Sequence, residues 1–263
     1  MNFQISKYLN VGTNNPIVAR LMLGLPEIIR MAEIPEGMKD SLVAHCFAIA
    51  KHLIQAEKAA QPLIQELREI VDKLRNEGVR VQGPGVIETP GVMHLDDARV
   101  FLKYAKQALQ ELAASMGLLL GAKFKGPHFH KVRNRAIEKL GLDHVVSKLL
   151  EEDQAWIKNL IVLRDEDEHP VSGRPFVRGF EITLKPDGGW HVDPPRFFNN
   201  EPVFHTLEVL SHNLLTFSEE LLALTLCDHL PNGVALMEIP EEQRKPDAPR
   251  RYGFGVKGLP PPP

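Results

Sequence analysis

The chain has 263 residues, 43% of them hydrophobic and 25% charged, which is ordinary for a globular protein that buries a sizeable core. The 31 basic and 34 acidic side chains give a formal net charge of -3. This excludes the strongly basic balance typical of many nucleic-acid binders but leaves room for a local basic patch. The two cysteines, Cys46 and Cys227, exclude a disulfide framework, and we interpret them as small buried hydrophobic residues.

The sequence predicts neither secretion nor a membrane span. Residues 1–7 lack the basic and apolar regions of a secretory signal. The longest apolar stretch, residues 113–122, is shorter than the roughly 18 residues that indicate a span. We therefore expect a cytoplasmic protein that has no membrane contact.

Apolar residues at helical spacing predict long helices over most of the chain. Asn14, Asn15 and Pro16 indicate the first helix start, because an asparagine side chain caps free N–H groups and proline fits the first turn. Pro26 is expected to kink this helix. The other predicted helices cover about residues 36–78 (bent at Pro62), 97–120, 129–140, 143–168 and 202–229.

The hydrophobic period changes after the helix that ends near residue 168. Residues 176–192 contain two strand-like runs around a polar Lys-Pro-Asp-Gly-Gly turn at 185–189, which predicts a β-hairpin. Residues 234–239 are a further candidate strand. The proline-rich residues 240–263 are expected to be poorly ordered.

These elements predict one domain over residues 1–239. Long helices with moderate loops pack by layer rules into a bundle. The expected fold is mainly α, a helical bundle of long antiparallel helices with a small β-hairpin elaboration. The glycine- and proline-rich residues 79–94 are expected to form a loop between two of these helices.

Common catalytic motifs are missing from the sequence. It has no phosphate loop, no dinucleotide-binding glycine pattern, no Gly-x-Ser-x-Gly elbow and no His-Glu-x-x-His. A metal site is an alternative, since His45 and His52 share one helix face and His205 and His212 repeat that spacing. Glu-x-x-His pairs do not occur on two helices, however, so we expect no metal and no cofactor.

A basic cluster follows the third predicted helix. Its members, within thirteen residues and with Phe124 and Phe129 between them, are Lys123, Lys125, Lys131, Arg133 and Arg135. Such a mixture can bind phosphates and stack a base, although charge runs are more often solvated helix faces. The neighbouring His128 and His130 are interpreted as part of a surface loop, with a phosphate or ligand role as the alternative.

Residues 164–170, Arg-Asp-Glu-Asp-Glu-His-Pro, close a long predicted helix. Asp167 and Glu168 follow Arg164 at i+3 and i+4, where helical neighbours can pair. His169 precedes a proline, which tends to end the helix. The simplest interpretation is an acidic helix end with an internal ion pair. Acids at a helix carboxyl end oppose the helix dipole, however, which favours a further role.

This segment resembles the signature of the HEPN (higher eukaryotes and prokaryotes nucleotide-binding) superfamily of helical bundles, in which arginine, a polar residue, spacers and histidine follow one another. Arg164, Asp165 and His169 match it, behind the apolar helix of residues 156–163. The chain is also similar to bacterial HEPN-like proteins in which Arg-Asn/Asp-x-x-Glu-His-Pro precedes a hairpin and a long helix. The resemblance covers about residues 38–229.

The resemblance implies metal-independent RNA cleavage in active members, with arginine and histidine of two subunits meeting across a homodimer. Arg164 would then stabilise phosphate charge, His169 would act as general acid or base, and Asp165 would orient or polarise. Many members are non-catalytic. For those the resemblance implies binding of RNA or of a protein partner, with stress or defence systems as the expected setting.

The acids of the motif argue against cleavage. Residues 166–168 place negative charge where an RNA phosphate would dock, unless the basic cluster or Arg174 and Arg178 offset it. Arg164 and His169 also point about 140° apart on a straight helix, so they converge only if the helix frays. Three interpretations stay open: an RNA- or partner-binding protein, an endoribonuclease, and a structural or regulatory interaction protein without a nucleic-acid site.

Overall fold

The computed structural model describes residues 10–79, 91–171, 173–186 and 188–258. The helices in these ranges are α1 (Leu25–Met31), α2 (Glu36–Glu77), α3 (Asp97–Leu120), α4 (Phe129–Leu140), α5 (Val145–Glu152), α6 (Gln154–Glu168) and α7 (Val203–Cys227). The strands are β1 (Val177–Arg178), β2 (Glu181–Leu184), β3 (Trp190–Asp193), β4 (Arg196–Phe197), β5 (Val234–Glu238) and β6 (Tyr252–Val256). The mainly α fold is thereby confirmed. Not one helix in the described ranges is long and apolar enough to cross a membrane.

The first helical segment begins where its cap predicts. The Asn15 Oδ1 atom accepts hydrogen bonds from the backbone N–H groups of Ile17 (2.8 Å) and Val18 (3.4 Å). A π-helical turn, Val18–Gly24, follows and leads directly into α1, which contains Pro26. The helical ladder is thus altered ahead of the proline, where the sequence predicts a kink.

The single helix predicted over residues 143–168 is wrong, because the chain forms α5 and α6 with a break at Asp153. Asp153 has φ -84° and ψ -7°, still within the right-handed helical region but with ψ well above the ideal helical value, and α5 ends there. Its N–H still donates to the Leu149 carbonyl at 3.1 Å, so α5 ends with a complete hydrogen bond. The apolar periodicity does not reveal this break.

Contacts divide the chain into two compact units, where the sequence predicts one domain. Among the described residues, the first unit contains three segments: the chain up to Ile54, Gln107–Gln154, and the chain from Leu214 onward. The second unit contains two segments, Gln55–Lys106 and Ala155–Asn213. Buried residues of the first core include Leu21, Ile29, Leu42, Cys46, Leu112, Phe129 and Phe217, and those of the second include Leu67, Phe101, Leu160, Leu163, Phe197 and Leu207. Burial raises the pKa of the Cys46 thiol to about 12, while Cys227 is only half-buried.

The hairpin predicted near residues 176–192 is confirmed as the antiparallel pair of β2 and β3, in which Ile182 lies opposite Val192. The N–H of Lys185 donates to the Gly189 carbonyl at 2.7 Å across the turn. Strands β1 and β4 form a second short antiparallel pair around the hairpin.

The expectation of a poorly ordered segment from residue 240 is wrong for residues 240–258. Strand β6 pairs with β5 along its whole length, from Val234 opposite Val256 to Glu238 opposite Tyr252. The Arg251 Nε atom lies 2.7 Å from a Glu238 carboxylate oxygen and ties the hairpin further. The backbone N–H and C=O groups of β5 need hydrogen-bond partners, and β6 supplies them. Residues 259–263 and most of the predicted loop 79–94 lie outside the described residues.

Candidate functional site

The carboxyl end of α6 carries the candidate catalytic motif and belongs to the second unit. Ile157, Leu160 and Leu163 on this helix are buried, which places the start of the motif at the edge of the core. The last helical hydrogen bond runs from the His169 N–H to the Asp165 carbonyl at 2.8 Å. The helix therefore ends at Glu168, as the following His-Pro sequence predicts.

Arg164 is held by acids of its own helix. Its guanidinium forms ion pairs with Asp167 and with Glu168, the latter at 2.8 Å. The side chain of Arg164 is 15% exposed and that of Asp167 is 5% exposed, so this arrangement is largely shielded from solvent. The predicted i+3 and i+4 pairing is confirmed. The guanidinium is already bound to carboxylates at the position where a phosphate would need it.

Two further cations approach the same acids from α3. The Lys106 Nζ atom lies 3.1 Å from an Asp165 oxygen and 2.9 Å from a Glu168 oxygen. The guanidinium of Arg99 pairs with Asp167 and lies 4.9 Å above the Phe176 ring. These six charged side chains, Arg99, Lys106, Arg164, Asp165, Asp167 and Glu168, are called the α6 charge network below.

The six side chains of the α6 charge network are three cations and three carboxylates, and Arg99 pairs in addition with the exposed Asp96 at 3.5 Å. The hydrogen bond from Lys106 holds the pKa of Glu168 below its usual range, against an opposing effect of burial. Burial alone would lower the pKa of Lys106, but the hydrogen bonds to Glu168 and Asp165 outweigh it, so the pKa is raised. Two of the cations that offset the acids of the motif, Arg99 and Lys106, come from α3, which the sequence does not indicate.

His169 is joined to this network by no hydrogen bond or ion pair in the described ranges, although it contributes electrostatically to the lowered pKa of Glu168. It follows the last residue of α6 and is exposed to solvent. Within the described ranges its imidazole forms no hydrogen bond or ion pair, and no such contact joins it to Arg164. Glu166, the remaining acid, accepts a hydrogen bond from the Val171 N–H at 3.2 Å. The structure therefore does not bring the arginine and histidine of one chain together.

The basic cluster of the first unit divides into two groups. Arg133 pairs with Glu151 of α5 at 3.0 Å, and Arg135 pairs with Glu138 at 3.1 Å. The other three members are exposed and have no ion pair within the part of the chain that the structure describes; they are Lys123, Lys125 and Lys131. These three residues are called the lysine segment below.

The predicted interleaving of aromatic rings with these cations is wrong for Phe129. Its ring is buried and packs edge-on against Phe217 at a centroid distance of 5.3 Å, so it cannot stack a base. The cause is helical spacing, because Phe129, Val132 and Ala136 form the buried face of α4. The exposed rings beside the lysine segment are those of His128 and His130, whose centroids lie 5.8 Å apart.

The histidines of the metal alternative have other surroundings. The Nδ1 atom of His45 lies 2.7 Å from a Glu111 carboxylate oxygen. His45 and His52 belong to the first unit, whereas His205 and His212 belong to the second. Among the residues that the structure describes, no group of three His, Cys, Asp or Glu side chains is arranged to hold a metal ion.

Comparisons with models of protein families, with curated proteins and with solved structures found no match to this chain. The resemblance to the HEPN superfamily therefore stays a prediction from Arg164, Asp165 and His169.

Proposed function

We propose that this protein is an HEPN-like RNA-binding protein that holds single-stranded RNA through the lysine segment without cleaving it. One observation carries the proposal: the ammonium groups of Lys123, Lys125 and Lys131 are exposed and lack ion pairs within the described residues. A cation that has no carboxylate partner can neutralise a phosphate and release its counterions, which is the main source of sequence-independent affinity.

The surroundings of the lysine segment support the binding of an anion. Lys131 lies in the first turn of α4, where the helix dipole favours negative charge. No side chain caps this helix end among the described residues, since His128 at the cap position accepts no such hydrogen bond. The rings of His128 and His130 offer flat exposed surfaces beside the lysines.

The α6 charge network favours a non-catalytic protein over the alternative endoribonuclease. A phosphate at Arg164 would have to displace Asp167 and Glu168, and both carboxylates would then repel it. Because each of the three cations of the network is already paired with carboxylates, none of them is available to an RNA phosphate without losing an ion pair. Homodimer formation, which the HEPN resemblance implies, stays a prediction.

The test is salt-dependent RNA binding. A fluorescent 20-nucleotide single-stranded RNA is titrated in EDTA at several salt concentrations against the wild type and a triple variant, Lys123→Gln, Lys125→Gln and Lys131→Gln. Each phosphate contact to single-stranded RNA contributes about 0.7 to the slope of log K against log salt, so the triple variant should lose about 2. Its affinity at low salt should fall by more than about tenfold.

A matched control separates the lysine segment from overall charge. Lys51, Lys58 and Lys73 on α2 are also exposed and without ion pairs in the described ranges, and changing all three to Gln alters the net charge equally. This control should keep most of the affinity. Equal losses in both variants, or no RNA binding by the wild type, would reject the proposal and favour a protein partner. Cleavage by the wild type would favour the endoribonuclease.

A further inference from the structure

The second unit contains a pocket of about 420 Å³ between the first turns of α6 and α7. This volume lies within the range of small-molecule sites in proteins, about 300–1,000 Å³. Its lining includes Trp156, Asn159, Glu201, Pro202, His205 and Val209. Ala155, His205 and Val209 are exposed, so the pocket is open to solvent.

Most of the lining is apolar. Trp156 and Pro202 contribute large flat surfaces, and Val209 and Leu210 contribute aliphatic ones. Such walls gain free energy by covering an apolar or aromatic body, at about 25 cal/mol for each square ångström removed from water.

The polar end of the pocket is formed by Glu201, which a hydrogen-bonded network holds in place. Its Oε2 atom accepts from the Asn159 side-chain amide at 2.8 Å. The Oδ1 atom of Asn159 accepts from the Asn199 side chain at 3.2 Å, and Asn199 in turn accepts from the Glu201 N–H at 3.2 Å. The carboxylate is therefore oriented before any ligand arrives.

The charge of Glu201 is not compensated within the described residues. Its Oε1 atom accepts no hydrogen bond there, and the residue forms no ion pair. Arg196 precedes it closely in the chain, but its guanidinium binds the Asp193 carboxylate at 2.9 Å and the Asn200 carbonyl at 2.9 Å. An oriented carboxylate with one open oxygen at the end of an apolar pocket favours a positively charged ligand.

We propose that this pocket binds a small organic cation, in which a primary ammonium group is attached to an apolar or aromatic body. The ammonium donates to Glu201 Oε1, and the body lies against Trp156 and Val209. The site belongs to the second unit and the lysine segment to the first. The inference therefore does not depend on RNA binding.

The experiment uses the full chain with the Trp190→Phe substitution, which leaves Trp156 as the only one of the two tryptophans. Its fluorescence is followed during titration with 2-phenylethylammonium, with the neutral isostere 2-phenylethanol and with the anion phenylacetate. The amine should bind saturably and at least about tenfold more tightly than the alcohol, as expected for one hydrogen bond to a charged group. Phenylacetate should bind more weakly than either.

Variants assign the effect to the carboxylate. Glu201→Gln retains an oxygen that accepts from Asn159, and it should weaken the amine about tenfold while leaving the alcohol unchanged. Glu181→Gln, an exposed acid outside the pocket, should change neither, and Val209→Phe should weaken both by filling space. Absence of saturable amine binding, equal affinity for amine and alcohol, or an unchanged affinity in Glu201→Gln would overturn the proposal.

Discussion

The α6 charge network and the lysine segment each contain three cations, but their surroundings are opposite. In the network every cation faces a carboxylate, and Arg164 and Asp167 are largely shielded from water. In the lysine segment the three ammonium groups are exposed and have no acid partner among the described residues. The first arrangement is suited to holding the end of α6 against α3, and the second to meeting an anion from solution.

This difference shows that a local count of charges is a poor guide to where an anion binds. Residues 164–170 have four acids for one arginine, which indicates strong repulsion of RNA. Arg99 and Lys106 supply two further cations, so that three cations face the four acids of this segment. The lysine segment, by contrast, belongs to a run in which only Arg133 and Arg135 find acids. Spatial partners therefore decide which cations are available.

The largest expected effect is on stability, and it should fall on the network alone. Arg164→Met leaves the shielded Asp167 with Arg99 as its remaining partner, so we expect a loss of about 2 kcal/mol, between the values for surface and buried ion pairs. Lys125→Met, the matched change in the lysine segment, should cost less than about 0.5 kcal/mol. Urea unfolding followed by circular dichroism measures both. Similar small losses would mean that the network contributes little.

For RNA affinity we expect the opposite ranking of the same two variants, with the larger loss in Lys125→Met. Lys125→Met removes one phosphate contact, so affinity for single-stranded RNA should fall about fivefold at 50 mM salt. Arg164→Met should change the affinity by less than about twofold, because Arg164 is bound to Asp167 and Glu168. Fluorescence anisotropy at two salt concentrations measures the change. A larger loss in Arg164→Met would place the RNA contact at α6 instead.

A smaller expected effect is a pH-dependent contribution of the α6 charge network to stability, which the lysine segment should not show. Hydrogen bonding to Lys106 lowers the pKa of Glu168 from its ordinary value of 4.5, so the pairing stabilises the fold above that value and is lost as pH falls through the lowered pKa. Lys106→Met should thus cost about 0.5 kcal/mol at pH 7, a typical value for an exposed pair, and progressively less as the pH falls below 4.5. Unfolding curves at several pH values test this, with Lys73→Met as the control. A cost that does not vary between pH 3 and 7 would exclude Glu168 as the relevant partner.

The sequence predicts the ion pairs of the α6 charge network within α6, but not those that join α6 to α3. The pairing of Arg164 with Asp167 and Glu168 follows from helical spacing, and the end of α6 follows from Pro170. Arg99 and Lys106 lie 68 and 59 residues before their partners. Nothing in the local pattern connects such distant residues, since their contact depends on how α3 and α6 pack.

Two predictions were wrong although the sequence contains the pattern that would have corrected them. Phe129, Val132 and Ala136 have the spacing of a buried helix face. This spacing predicts that the Phe129 ring is buried, although cations precede and follow it in the sequence. Tyr252, Phe254 and Val256 alternate with glycines, as in a strand, although proline and charge dominate the composition around them. Periodicity is the stronger indicator because it reflects which side chains can be buried together.

The smallest expected effect is that of His169→Ala, and it tests the catalytic interpretation. His169 is exposed and forms no contact in the described ranges that joins it to Arg164, so the change should alter stability by less than about 0.5 kcal/mol. It should leave RNA affinity unchanged, and neither wild type nor variant should cut labelled single-stranded RNA in EDTA, while an added ribonuclease confirms that this RNA is cleavable. Cleavage by the wild type that disappears in His169→Ala would make the residue catalytic. Cleavage would also require Arg164 to release Asp167 and Glu168 and to bind the phosphate of the RNA in their place.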